Sequence, residues 1–303
     1  MSNGLLHKIK ICILGADGQL GQEFRYLAFE YEFMSFKFYS KTSLDITDVE
    51  AVKEVLKAGN FDYVINCAAY TSVDKAESEI EKCYAINTIA CGNIVNALSQ
   101  LNTRLIYFSS DYVYHTYSGF PLHENDATSP RGVYAKSKLE GENLIRGSKV
   151  PTLILRTSWV ISSFGNNFAK TILRLGNEKS TISVVNDQFG APTYARHLAL
   201  AVLDIITAVD TDSGLTMAFD ATYNFANEGI VTWYDIADRI IKDEGLKCIV
   251  NPISTGDYPT AAQRPAWSVL SKNKIKETFL LEIPHWYRAL QECSLAIKTQ
   301  AQL

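Results

Sequence analysis

Three glycines, Gly15, Gly18 and Gly21, mark the passage from the first apolar run, Lys8 to Leu14, into a helical pattern that extends to Leu27. Such a turn constrains the fold strongly. Without side chains in the way, backbone N–H groups and the amino end of the helix can approach a bound pyrophosphate. Glycine-rich turns are common, but this one heads a chain in which short apolar runs alternate with helical patterns, as that mechanism requires. Phe33 to Tyr39 reads as a second strand, Asp62 to Asn66 as a third, Arg104 to Ser109 as a fourth and Thr152 to Arg156 as a fifth. Thr47 to Glu50 reads as a capping box opening a helix that ends near Gly59, and Glu77 to Leu101 reads as one long helix. Repeated βαβ units predict an α/β protein with a doubly wound parallel sheet of the Rossmann type, helices covering both faces.

Beyond about Arg156 the alternation loosens. Asn166 to Gly176 reads as a helix ending at a glycine, Thr181 to Val185 as a strand, Tyr194 to Ala208 as a helix, Tyr223 to Ala226 as a strand and Thr232 to Lys242 as a capped helix. These elements predict a smaller carboxy-terminal substrate lobe. No linker rich in Pro, Gly or Ser separates it, so the lobe is expected to interleave with the sheet: residues 1–160 form an NAD(P)-binding domain and 161–303 are mainly substrate-binding.

With 303 residues, 47% of them hydrophobic, the chain can bury a large core. Its formal charge of −4, with no basic stripe, argues against nucleic acid as a partner and for a small molecule. Met1 to Lys10 lacks the apolar stretch of a signal peptide, and no run of about 18 apolar residues follows, so no membrane association and a cytoplasmic location are expected. Cys12, Cys67, Cys83, Cys91, Cys248 and Cys293 are scattered through apolar patterns and read as buried thiols. Neither they nor His7, His115, His123, His197 and His285 show metal-ligand spacing, so no metal site is expected. A homodimer is the expectation from base rates.

The chemistry concentrates at Tyr134 and Lys138. On a helix the i,i+4 spacing puts both on one face, and Ser110 and Asp111 follow the fourth strand. A free phenol, with a pKa of roughly 10, keeps its proton near neutrality; a neighbouring cation would stabilise the phenolate and ease its release. Alone, the Tyr-x-x-x-Lys pair is a frequent accident of solvated helices. The second strand runs into Ser40 and Lys41 without the acidic residue that would accept from the ribose 2′-hydroxyl of NAD, so NADPH is the expected cofactor, with NADH as an alternative. Asp45 and Ile46 would flank the adenine. Trp159 reads either as core or as a cleft residue, and Arg264 either as a solvated arginine or as a fork for pyrophosphate.

Taken together, several stretches resemble extended short-chain dehydrogenases/reductases, and among them the dTDP-4-dehydrorhamnose reductase family. These are Gly15 to Gly21, Asn66 to Glu77, Ser109 to Tyr114, Tyr134 with Lys138, Arg156 to Val160, Gly165 to Phe168, Asp187 to Thr193, and Arg264 with Pro265. The resemblance implies reduction, by NADPH, of the C4 ketone of a dTDP-linked 4-ketosugar. In it Gly18, Gln19 and Leu20 meet the pyrophosphate, Asp45 and Ile46 the adenosine end, and Ala69, Tyr70, Thr71 and Phe108 line the cofactor cleft. Ser110 and Asp111 face the sugar, Tyr134 donates the proton, Lys138 supports it and Trp159 packs on the deoxysugar. Ser110 stands where the family more often has threonine, which keeps the hydroxyl. His115 to Gly119 depart from the family's usual loop, so the resemblance fixes the reaction type more firmly than the sugar. Rival implications are another nucleotide-linked 4-ketosugar and a non-catalytic regulatory subunit of the same fold.

Overall fold

The computed structural model describes residues 8–301; His7 and the rest of the amino-terminal segment, with residues 302–303, lie outside it. Six strands form one parallel sheet. β1 (Ile9–Leu14), β2 (Met34–Tyr39), β3 (Tyr63–Asn66), β4 (Arg104–Ser110) and β5 (Thr152–Thr157) are joined by the later strand Ala221–Phe225, in the spatial order Ala221–Phe225, β5, β4, β3, β1, β2. All neighbours pair in parallel. Parallel strands covered on both sides read as nearly continuous apolar runs, and in β1 only Lys10 reaches solvent.

Alternation along β1 divides two cores. Ile9, Ile11 and Ile13 pack with Phe24 and Leu27 of α1 (Gln19–Leu27) and with Leu198 and Val202 further along the chain. Cys12 and Leu14 face the opposite layer, where Val52 and Leu56 of α2 (Val49–Gly59) meet Ile94 and Leu98. A third core, built on Ile172, Ile182, Ile236, Ile240 and Leu290, belongs to the lobe beyond β5. There, Thr181–Val185 pairs in parallel with Ile249–Ile253.

Several boundaries differ from the sequence expectation. The cap of α2 is Asp48, whose carboxylate accepts from Ala51 N at 3.1 Å; the hydroxyl of Thr47 is taken by Asp45 Oδ1 at 2.8 Å. The long helix expected from Glu77 to Leu101 instead starts at Ile80, after the short turn α3 (Val73–Ala76), and runs as α4 (Ile80–Tyr84), a π-helical turn at Ala85–Ile89, and α5 (Ala90–Leu98). The π turn presents Asn87, whose side chain accepts from Tyr70 N (2.9 Å) and donates to Tyr70 O (3.1 Å), fixing the loop after β3. The helix expected to stop at Gly176 continues to Glu178, capped by Asn167 at its start. Gly176 is there for close packing, since a Cβ would lie 2.3 Å from Ile241 Cδ1. The strand expected at Tyr223 to Ala226 is Ala221–Phe225, which returns from the later half of the chain to extend the main sheet beside β5.

The helix that follows β4 is α6 (Gly132–Arg146), and it is locked to β5 from within. Glu142, fully buried, accepts from Arg156 Nε (3.0 Å) and Nη2 (2.7 Å) and from Arg146 Nη2 (2.6 Å). Burial alone would raise the Glu142 carboxyl; the bonds from Arg156 outweigh it and hold the group below its usual range. Its stabilising contribution is therefore complete above the ordinary carboxylate pKa and is lost as pH falls through the lower folded value. Glu142→Ala leaves Arg156 buried without its partner and is expected to destabilise the fold by about 3–5 kcal/mol, read by denaturant unfolding; a loss below about 1 kcal/mol would contradict this account of the clamp.

Candidate active site

β1 delivers the chain to Gly15, which adopts φ +76; a Cβ there would stand 2.5 Å from Ala68 N. A Cβ on Gly21 would stand 2.5 Å from Gly15 O, so the start of α1 lies tight against the turn. Gly18 caps α1 without a side-chain bond, which leaves the first N–H groups of the helix available to an anion. Beside this turn lies a cavity of about 210 Å³ lined by Gly15, Gly18, Lys41, Asp45, Ile46 and Ala69, among others. Ser40 Oγ meets Thr42 Oγ1 at 2.8 Å and Ser40 N donates to Ser43 Oγ at 2.9 Å, so hydroxyls cluster at the end of β2 beside the exposed Lys41. Asp45 accepts from Thr47 N and Oγ1, bonds that hold its carboxyl below the usual range. These residues fit a dinucleotide phosphate and its adenosine end. Gln19 faces the lobe as well, accepting from Asn167 Nδ2 at 2.9 Å, while Leu20 packs on the first core. Tyr70 is buried and pinned by Asn87, and Thr71 is exposed just beyond it.

The second cluster gathers Phe108, Ser110, Asp111, Tyr134 and Lys138 where β4 meets α6. Lys138 is only 2% exposed; its Nζ donates to Phe108 O at 2.5 Å and lies 4.2 Å from the Tyr107 ring centroid. Burial pulls its pKa down to about 8. Ser110 Oγ donates to Asp111 Oδ1 at 2.9 Å and accepts from Tyr112 N at 3.2 Å. Asp111 is also 2% exposed, its Oδ2 has no partner, and burial raises its carboxyl to about 6. Tyr112 meets the Tyr134 ring edge-on, with centroids 5.7 Å apart.

Burial raises the Tyr134 phenol well above its ordinary value, and the group that opposes this is Ser110. The ammonium of Lys138 donates to the Phe108 carbonyl and lies over the Tyr107 ring. No sequence motif marks Ser137, which donates to Tyr134 O (2.8 Å) and accepts from Asn87 Nδ2 (3.1 Å).

On the lobe side, Trp159 adopts φ +49 and stacks on Trp233 with centroids 3.9 Å apart; Phe168 meets Trp233 at 4.6 Å. Phe168, Trp233, Gln188, Tyr258, Thr260 and Arg264 help to line a cavity of about 330 Å³. Nothing in the sequence marks Trp233 beyond its place at the start of a capped helix. Arg264 does reach this cavity, but its fork is already closed on a carboxylate: Nη1 to Asp74 Oδ1 at 3.1 Å and Nη2 to Asp74 Oδ2 at 2.6 Å. Among the described residues no group of His, Cys, Asp and Glu gathers to hold a metal, none of the six cysteines is paired, and no helix is long and apolar enough to cross a membrane.

A family model described as the RmlD substrate binding domain matches residues 9–298. A dTDP-4-dehydrorhamnose reductase of Aggregatibacter actinomycetemcomitans is 37% identical over 93% of this chain and 97% of its own. The spore coat polysaccharide biosynthesis protein SpsK of Bacillus subtilis is 34% identical over 93% and 96%. Among solved structures, the dTDP-4-dehydrorhamnose reductase of Bacillus anthracis in complex with NADP superposes with a TM-score of 0.87 at 33% identity, covering 95% of this chain and 99% of that one.

The buried ammonium has a kinetic signature. Because kcat/KM for the cofactor reports groups of the free enzyme, it is expected to fall as pH rises through about 8 and Lys138 loses its charge. A profile that stays flat into the ordinary lysine range would contradict the assignment.

Proposed function

This chain belongs to the dTDP-4-dehydrorhamnose reductase family, and from that premise we propose that it uses NADPH to reduce the C4 ketone of dTDP-4-dehydro-β-L-rhamnose to dTDP-β-L-rhamnose, a step in nucleotide-sugar and surface-polysaccharide synthesis. The observation that carries the reading is the meeting of Ser110, Tyr134 and Lys138 where β4 joins α6, in the same parallel sheet whose first strand ends in the glycine turn.

In this reading Gly15, Gly18, Gln19, Leu20 and Gly21 hold the pyrophosphate. Ser40 and Lys41 take the 2′-phosphate, with Asp45 and Ile46 at the adenosine. Ala69, Tyr70, Thr71, Phe108 and Lys138 line the rest of the cleft. When bound, the reduced nicotinamide supplies the hydride. The chain supplies the proton and the orientation. Ser110 directs the ketone oxygen, and Tyr134 gives its proton to O4 as negative charge develops there. Burial keeps that phenol protonated until the acceptor appears. Asp111, with one carboxylate oxygen unpartnered, faces a sugar hydroxyl. Trp159, stacked on Trp233, forms an aromatic wall for the deoxysugar. Arg264 serves the nucleotide diphosphate by exchanging its bond to Asp74.

Residues 1–160 act as the cofactor half and 161–303 mainly as the substrate half, supported by the glycine turn in the first and the aromatic cavity in the second. A cytoplasmic homodimer is the proposed working form, on base rates.

Tyr134→Phe is expected to lower kcat by about 10²–10⁴-fold while NADPH still binds, measured by NADPH oxidation and by fluorescence titration; a near-normal rate would remove Tyr134 as the acid. Lys41→Ala is expected to raise KM for NADPH about tenfold and leave KM for NADH nearly unchanged, since only the 2′-phosphate loses a charge-assisted bond. Equal effects on both cofactors would place that phosphate elsewhere.

A further inference from the structure

The first turn of α6 has no capping partner of its own. Arg131 precedes it without a side-chain cap bond, and no acidic residue lies within the turn. Helices leave their first N–H groups unpaired and favour negative charge at that end. Here the partner comes from elsewhere in the chain: Glu77 Oε1 accepts from Val133 N at 2.8 Å, across 56 residues. The approach is close enough that Gly132, at φ +77, is needed to permit it, because a Cβ there would lie 2.6 Å from Glu77 Oε1. Tyr134 is the next residue after Val133.

Glu77 sits at the end of α3, and Asp74 of the same turn reaches the segment that carries Arg264. Asp74 Oδ1 accepts from Ala262 N at 3.0 Å, and its two oxygens take both arms of Arg264. Tyr112 lies edge-on to Tyr134 and within the electrostatic reach of Arg264 and Asp74. One short helical turn thus ties the beginning of the catalytic helix to the arm carrying Arg264.

Given the reductase reading, we infer that Glu77 is a positioning residue for Tyr134: its carboxylate sets the start of α6, and through it the place of the phenol relative to the ketone. It touches neither substrate nor cofactor in this account. What matters is reach, from the end of α3 to the N–H of Val133. A neutral acceptor of the same length preserves that bond, and a shorter carboxylate does not.

The test compares Glu77→Gln, Glu77→Asp and Glu77→Ala in the full chain, with kcat and KM for the ketosugar, NADPH affinity and the thermal midpoint measured for each. Glu77→Gln is expected to retain at least about a third of wild-type kcat. Glu77→Asp and Glu77→Ala are expected to lose about tenfold or more in kcat, the scale on which small misplacements act, with NADPH affinity changed less than about threefold. If Glu77→Ala does not fold, the Gln and Asp pair decides alone. Wild-type kcat in Glu77→Asp, impairment of Glu77→Gln with Glu77→Asp spared, or losses that simply follow NADPH affinity or the thermal midpoint would overturn the inference. A wild-type protein that does not turn over the ketosugar defeats the reductase reading itself; an active wild type with an unimpaired Glu77→Ala defeats only the role of Glu77.

Discussion

Lys138 is an ammonium almost wholly removed from water, and the rest of the site is arranged around keeping it there. A buried charge is costly unless it is bonded and compensated. The carbonyl of Phe108 accepts from it, the ring of Tyr107 lies under it, and the buried Glu142 carboxylate stands one helical turn along the same face. Each of these partners depends on the register of α6 against β4 and β5. The pairing of Glu142 with Arg156 of β5 fixes that register, so the groups that hold the helix also hold the charge. The depressed lysine and the raised tyrosine follow from one cause, the burial of both groups at the junction of a parallel strand and its following helix.

The two halves of the chain line different cavities. Sheet strands end at the glycine turn, at Ser40 and Lys41, and at Ser110, so their carboxy ends carry both the cavity beside that turn and the Ser110 hydroxyl. Beyond β5, Trp233 and Phe168 line a cavity together with Arg264, and Trp159 stacks on Trp233. The halves are not separate bodies in the chain. Ala221–Phe225 closes the main sheet beside β5, and Ser162 Oγ donates to the buried Glu23 of α1 at 2.7 Å.

Much of this was legible in the sequence because it obeys local rules. Glycine spacing, apolar strands and the Tyr134–Lys138 interval each read directly, and the family resemblance ordered them. What stayed hidden depends on partners far along the chain. Nothing near Glu77 announces that its carboxylate caps a helix 56 residues later, and nothing near Arg264 announces that Asp74 occupies its fork. The π turn at Ala85–Ile89 interrupts a sequence that looks uniformly helical, because Asn87 is drawn to the backbone of Tyr70. Gly176 resembled a helix terminator, yet its role is to let Ile241 approach. Trp233 looked like the start of a capped helix, which it is, while its ring stacks on Trp159 and lines a cavity. Local pattern recovers elements and motifs; long-range pairing decides which of their side chains work together.

The central claim is that this site passes a hydride and a proton to a single ketone. The most direct measurement uses NADPH deuterated at the transferable position of the nicotinamide, with freshly generated dTDP-4-dehydro-β-L-rhamnose and product analysis by NMR. The account predicts dTDP-β-L-rhamnose with deuterium at C4, formed at the rate at which the cofactor is oxidised. Oxidation that leaves no deuterium at C4, a product of opposite C4 configuration, or binding of cofactor without any turnover would contradict it.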